Sequence, residues 1–64
     1  SVGVQASRSA GLVVDGNSIT GNATGIIATS EINDYRIINN DLRGNDTAKD
    51  LGSDAGEYSG NLEN

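Results

Sequence analysis

The stretch Asn17-Ser-Ile-Thr-Gly-Asn-Ala-Thr24 returns 23 residues later as Asn40-Asp-Leu-Arg-Gly-Asn-Asp-Thr47. Asn17, Gly21, Asn22 and Thr24 meet Asn40, Gly44, Asn45 and Thr47, and Ile19 meets Leu42. A period of roughly 20–50 residues constrains a short chain more than any other feature. It makes the fold a stack of like units, each too small to bury its own apolar face. Residues 2–24 laid on 25–47 share five identities, Ser7/Ser30 being the fifth, where composition alone gives about two.

The apolar pattern repeats more firmly than the identities. Leu12 falls on Tyr35, Val14 on Ile37 and Ile19 on Leu42. A one-residue slip near Ser7 also sets Gly3 on Gly25, Val4 on Ile26 and Ala6 on Ala28. Within each apolar pair the spacing is two, the strand period, and no helical stripe of apolar residues occurs. Turn-forming clusters punctuate the chain at Asp15-Gly16-Asn17, Gly21-Asn22, Asn33-Asp34, Asn39-Asn40-Asp41 and Gly44-Asn45-Asp46.

Three short strands per unit predict one coil of a parallel β-solenoid, an all-β fold. The predicted inward residues are Val4, Ala6, Leu12, Val14, Ile19, Ile26, Ala28, Tyr35, Ile37 and Leu42. Stacking places Asn17 over Asn40 and Asn22 over Asn45, where their amides can form a ladder. The alternative is that these residues, with Gly21, Gly44, Thr24 and Thr47, only occupy repeated turns.

The phrase Gly25-Ile-Ile-Ala-Thr-Ser-Glu-Ile-Asn-Asp-Tyr-Arg-Ile-Ile-Asn-Asn-Asp-Leu-Arg-Gly-Asn45 resembles the rungs of the pectate-lyase-like right-handed β-helix superfamily. Gly11–Asn22 matches the second half of the same phrase. The resemblance spans about Gly3–Leu51 and is specific for the rung, not for an activity. It implies right-handed coils, and among its members are phage tailspike and appendage proteins, polysaccharide lyases, hydrolases and periplasmic carbohydrate-binding proteins. The expectation is two rungs, 2–24 and 25–47, with 48–64 as a looser capping rung or a flexible tail. A trimer, or the remainder of a longer β-helix chain, is the expected partner, with polysaccharide as a further one. A virion or extracellular setting follows from the resemblance alone.

The bounds of the chain point the same way. Sixty-four residues make one small domain or a piece of one, and such a chain buries only about 60% of its unfolded surface. There is no Phe, Trp, Met or Cys, and hydrophobic residues make up 34% of the chain. Neither a thick core nor disulfides can supply stability. The start at Ser1 without a Met fits a piece of a longer protein. A net charge of −5 argues against nucleic acid, and no apolar run approaches the length of a membrane span.

The third unit departs from the pattern. Lys49 falls where Ile26 points inward, Leu51 falls on Ala28 and Tyr58 on Tyr35. Burying an ammonium is costly, so the coil opens or the register slips here. Asn61-Leu62 echoes Asn40-Asp-Leu42 after a deletion. Val13, Ile27 and Ile38 point outward, either as ordinary surface or as a face that packs on another chain.

Residues suited to reactive chemistry are few. The chain has no His and no Cys, which excludes triads, zinc sites and thiol chemistry within it. Asp41/Asp46 and Asp50/Asp54 read as solvated charge, since Ca²⁺ needs about six to eight converging oxygens. Asp15 is one unit from Ile38 and Glu31 one unit from Arg8, so the paired carboxyls of glycoside hydrolysis are absent from the repeat. Asn22-Ala-Thr24 and Asn45-Asp-Thr47 match the glycosylation acceptor, but turn chemistry explains both. No catalytic residue, metal or cofactor is expected. The functional expectation is a structural and oligomerisation segment of a tailspike-like protein with a carbohydrate-facing side. The alternatives are the C-terminal piece of a polysaccharide lyase or hydrolase, and a self-assembling fibril former.

Overall fold

A computed structural model describes residues 1–8 and 10–64 of the chain. The strands are β1 (Val2–Ala6), β2 (Val13–Asp15), β3 (Thr24–Ala28), β4 (Arg36–Ile38), β5 (Thr47–Leu51) and β6 (Glu57–Ser59). They form two three-stranded parallel sheets, β1-β3-β5 and β2-β4-β6. Strand one of each unit therefore pairs with strand one of the next, and strand two with strand two.

The pairing follows the repeat. In the first sheet Val4 lies beside Ile26 and Ile26 beside Lys49, while Ala6, Ala28 and Leu51 line up likewise. In the second sheet Val14, Ile37 and Tyr58 stand in one row. Tyr58 is thus the neighbour of Ile37, not of Tyr35. A unit of 23 residues shortens to 21 between β4 and β6, as the separation of Asn17 from Asn40 and of Asn40 from Asn61 shows. The shortening falls between Leu51 and Glu57, where Gly52 and Gly56 let the chain pass close beneath the turn at Thr29–Ser30 and beneath Tyr35.

The closed right-handed β-helix of three-stranded rungs, expected from the sequence, is overturned. Each unit supplies two strands, the strands make two separate sheets, and no closed solenoid forms among the described residues. The expected third strand, around Ile19 and Leu42, is reduced to isolated parallel bridges between Ser18 and Asp41 and between Asp41 and Leu62. The reason is local. Gly16 at φ 70° and Gly21 at φ 80° turn the chain on either side of Ile19, so too few residues stay extended to make a strand. The last unit carries β5, a five-residue strand like β1 and β3. Its departure lies in its side chains.

The core runs between the two sheets and comprises Val14, Ile19, Ile26, Ala28, Ile32, Tyr35, Ile37 and Leu42. Val4, Ala6, Leu12, Ala48, Leu51 and Tyr58 pack on it while half exposed. Burial is greatest in the middle unit, because only that unit has a neighbour on both sides. Ile32 is fully buried although the repeat did not single it out. Its backbone N–H donates to Thr29 O at 3.0 Å, closing a turn that drops the side chain inward.

A fully buried aliphatic in this thin core stabilises by about 1.5–3 kcal/mol. Ile37 is 0% exposed and Val13, next to its row-mate Val14, is 58% exposed. Ile37→Ala is therefore expected to cost about 2–5 kcal/mol, and Val13→Ala no more than about 0.5 kcal/mol. Denaturant midpoints of the two variants check this, and equal losses would contradict the placement of the core.

Candidate functional site

Asparagine columns run along the stack, and each member follows a left-handed turn. Gly16, Asn39 and Gly60 have φ of 70°, 58° and 67°, and they precede Asn17, Asn40 and Asn61. Gly21 and Gly44 do the same for Asn22 and Asn45. The left-handed residue bends the chain between strands, and the following asparagine bonds to its neighbours in the stack. Only residues tolerant of positive φ can precede the asparagine, hence the recurrent Gly-Asn and Asn-Asn pairs.

The first column is bonded along its length. Asn17 donates from its backbone N to Asn40 Oδ1 at 2.9 Å and from Nδ2 to the same oxygen at 3.4 Å. Asn40 repeats the pattern on Asn61 Oδ1, at 3.0 and 2.9 Å. The Nδ2 groups also reach the unit before: Asn40 donates to Val14 O at 2.9 Å and Asn61 to Ile37 O at 2.8 Å. Asn17 has no such earlier carbonyl among the described residues, and its Nδ2 donates locally to Asp15 O.

The second column has the same form. Asn22 donates from N and Nδ2 to Asn45 Oδ1 at 3.0 and 3.3 Å. Asn45 Nδ2 donates to Ile19 O and Leu42 O, both at 2.8 Å. Asn64 then takes an offset place, accepting from Gly44 N and donating to Asn45 O, each at 2.9 Å. Thr24 and Thr47 are paired neighbours at the start of β3 and β5, and Gly21 N donates to Gly44 O at 3.1 Å.

Asn40 is 1% exposed and Asn45 3%, yet no buried side-chain N or O among the described residues lacks a partner. Burial also removes Asn45 as a glycan acceptor, because its amide nitrogen faces backbone carbonyls. The core residues named from the sequence divide by position. Val4, Ala6 and Leu12 are half-buried on the open side of the first unit, and Val14, Ile19, Ile26, Ala28, Tyr35, Ile37 and Leu42 are buried. Tyr35 spends its hydroxyl on Ser53 O at 2.9 Å.

The far end carries charge. Lys49 and Tyr58 occupy the rows of Ile26 and Ile37. Lys49 Nζ lies 3.1 Å from Glu63 Oε2 and 4.6 Å from the centre of the Tyr58 ring. The Tyr58 hydroxyl donates to the same carboxylate oxygen. Partial burial and this bond raise the Tyr58 pKa, whereas the bonds from Tyr58 and Lys49 lower that of Glu63. At neutral pH the phenol is protonated and the carboxylate charged, so the three groups satisfy one another.

The other acidic residues stand apart. Asp41 forms a two-pronged pair with Arg43 within its own turn, and the hydrogen bond from that guanidinium lowers its pKa to about 2. Arg36 and Glu57 face each other across the sheet at 3.6 Å, both well exposed, a contact of little energetic consequence. Among the described residues no three acidic side chains come together as a metal cage, and no pocket forms.

Residues 1–62 match the family model described as periplasmic copper-binding protein (NosD), and the chain belongs to that family. The match agrees with the coarser expectation of a repetitive parallel-β protein and does not single out the tailspike branch. No curated protein and no solved structure matches the chain.

Removing the Asn40 amide leaves Val14 O and the Asn17 N–H without their buried partners, at about 1–3 kcal/mol for each group. Removing the Asn17 side chain leaves the Asn17 N–H bond intact and costs about 1 kcal/mol. Asn40→Ala is therefore expected to lower the denaturation midpoint well below that of Asn17→Ala. Similar midpoints would show that the columns are turn residues without mutual support.

Proposed function

We propose that this chain is a structural stacking module of a NosD-family protein, and that its work is to continue and stabilise a row of like units. The observation that supports this most is the pair of asparagine columns. The Asn40 amide is satisfied by the units before and after it, and the Asn45 amide by the unit before it and its own, so the middle unit depends on its neighbours. The first unit keeps half-exposed Val4, Ala6 and Leu12 and ends its columns at Asn17 and Asn22. The family's description as periplasmic supports a setting outside the cytoplasm.

Copper, named in that description, is a poor fit to these residues. Copper sites draw on thiolate, thioether and imidazole ligands, and the chain contains no Cys, Met or His. Its carboxylates form no cluster of three among the described residues. The module is thus read as scaffold, with any metal chemistry of the family supplied by other residues. Titration with Cu²⁺ is expected to show no stoichiometric binding by this chain.

A tailspike-like role, holding chains side by side and facing carbohydrate, is the second reading. The half-buried Ile27 and Ile38 and the exposed Val13, on outward positions of the strands, favour a covered outer face. Equilibrium sedimentation at a fixed trimer mass would favour it.

The stacking role is tested by fusing a second copy of residues 2–23 ahead of Val2. The added unit is expected to raise the unfolding temperature and to slow amide exchange in β1 and β2. Unchanged stability and exchange would contradict it.

A further inference from the structure

The two ends of the stack differ in chemistry. At the β1–β2 end the rows finish in Val4, Ala6, Leu12 and Val14. At the β5–β6 end the corresponding rows finish in Lys49, Leu51 and Tyr58. If a second copy of this chain stacked head to tail, its β1 would pair with β5 and its β2 with β6. Its Val4 would then sit on Lys49 and its Val14 on Tyr58.

Most of that junction is acceptable. Both sheet edges are parallel, Leu51 and the 50% exposed Leu62 offer apolar surface, and Asn61 carries the first asparagine column to the end, where another Asn17 would extend it. An unpaired parallel edge with these properties invites addition of a further strand. The obstacle is Lys49, Tyr58 and Glu63. Covering them would strip water from an ion pair whose side chains are each 35% exposed. An aliphatic row offers no polar partner in return, and desolvating a charge pair without new hydrogen bonds is unfavourable.

We propose that Lys49, Tyr58 and Glu63 form a polar stop that closes the β5–β6 edge against the β1–β2 edge of a second copy of this chain. This rests on the stacking role proposed above. The Tyr58–Glu63 bond and the Lys49–Glu63 pair hold the cluster together, and Lys49 lies over the Tyr58 ring instead of reaching away into solvent. The stop therefore stays over the ends of the rows of Ile26 and Ile37.

The test is the variant Lys49→Ile, Tyr58→Ile, Glu63→Ser, compared with the unaltered chain by sedimentation velocity across a wide range of concentration. The unaltered chain is expected to hold one mass. The variant is expected to grow without limit as concentration rises. Adding Val4→Lys to it should reverse the growth, because that places a cation on the opposite face of the same junction. Should the triple variant not fold, Lys49→Val with Glu63→Gln, which keeps Tyr58, takes its place. Open-ended growth of the unaltered chain, a folded variant of unchanged mass, or growth indifferent to Val4→Lys would each overturn the stop. Failure of the N-terminal fusion to stabilise would instead count against the stacking role itself.

Discussion

The side-chain amide of Asn40 is the interaction on which the arrangement depends. It accepts from the backbone and side chain of Asn17, donates back to Val14 O, and donates forward to Asn61 Oδ1. One buried group therefore ties three units together and leaves no alternative register, since a one-residue slip would break all of these bonds at once. Asn45 ties the first two units in the second column, accepting from Asn22 and donating to the carbonyls of Ile19 and Leu42. Parallel sheets with short strands are weakly specified by their backbone alone. Here the specification comes from amides placed directly after left-handed turns.

The apolar core follows from that alignment. Once Asn17, Asn40 and Asn61 are in line, the rows Val4–Ile26–Lys49 and Val14–Ile37–Tyr58 are fixed, and the middle members are buried from both sides. This explains how a chain with no Phe, Trp or Met encloses Ile26, Ile32, Ile37 and Leu42 completely. It also explains the unequal ends. The same row position is aliphatic at Val4 and Val14 and polar where Lys49, Tyr58 and Glu63 gather. Stability in such a stack is a sum over neighbouring units, and the function proposed above turns on which neighbours each end accepts.

Much of this was legible in the repeat, and the exceptions have physical causes. The rows of Val4 with Ile26 and Val14 with Ile37 follow from the period of 23 and the slip near Ser7. The third strand was not legible, because the spacing of apolar residues does not show that positive φ at Gly16 and Gly21 interrupts extension around Ile19. Ile32 escaped because the residue 23 positions earlier is Ser9, so no repetition marks it. Tyr58 was set on Tyr35 because a constant period was extended through a segment that is two residues shorter. The echo at Asn61-Leu62 carried the correct register, since Asn61 bonds to Asn40 and Leu62 bridges to Asp41. Lys49 is unsuited to an inward position, but its partner Glu63 is 14 positions away and no periodicity joins them.

Residue-resolved native-state amide exchange tests the central claim most directly, because the backbone N–H groups of Asn17, Asn22 and Asn40 are held by side-chain oxygens of the following unit and not by strand pairing. The account predicts that the Asn40 amide is protected to the level of the β3 and β4 amides, with Asn17 and Asn22 somewhat less so. Exchange of all three at the rate of an unstructured chain, beside protected β3 and β4, would contradict it.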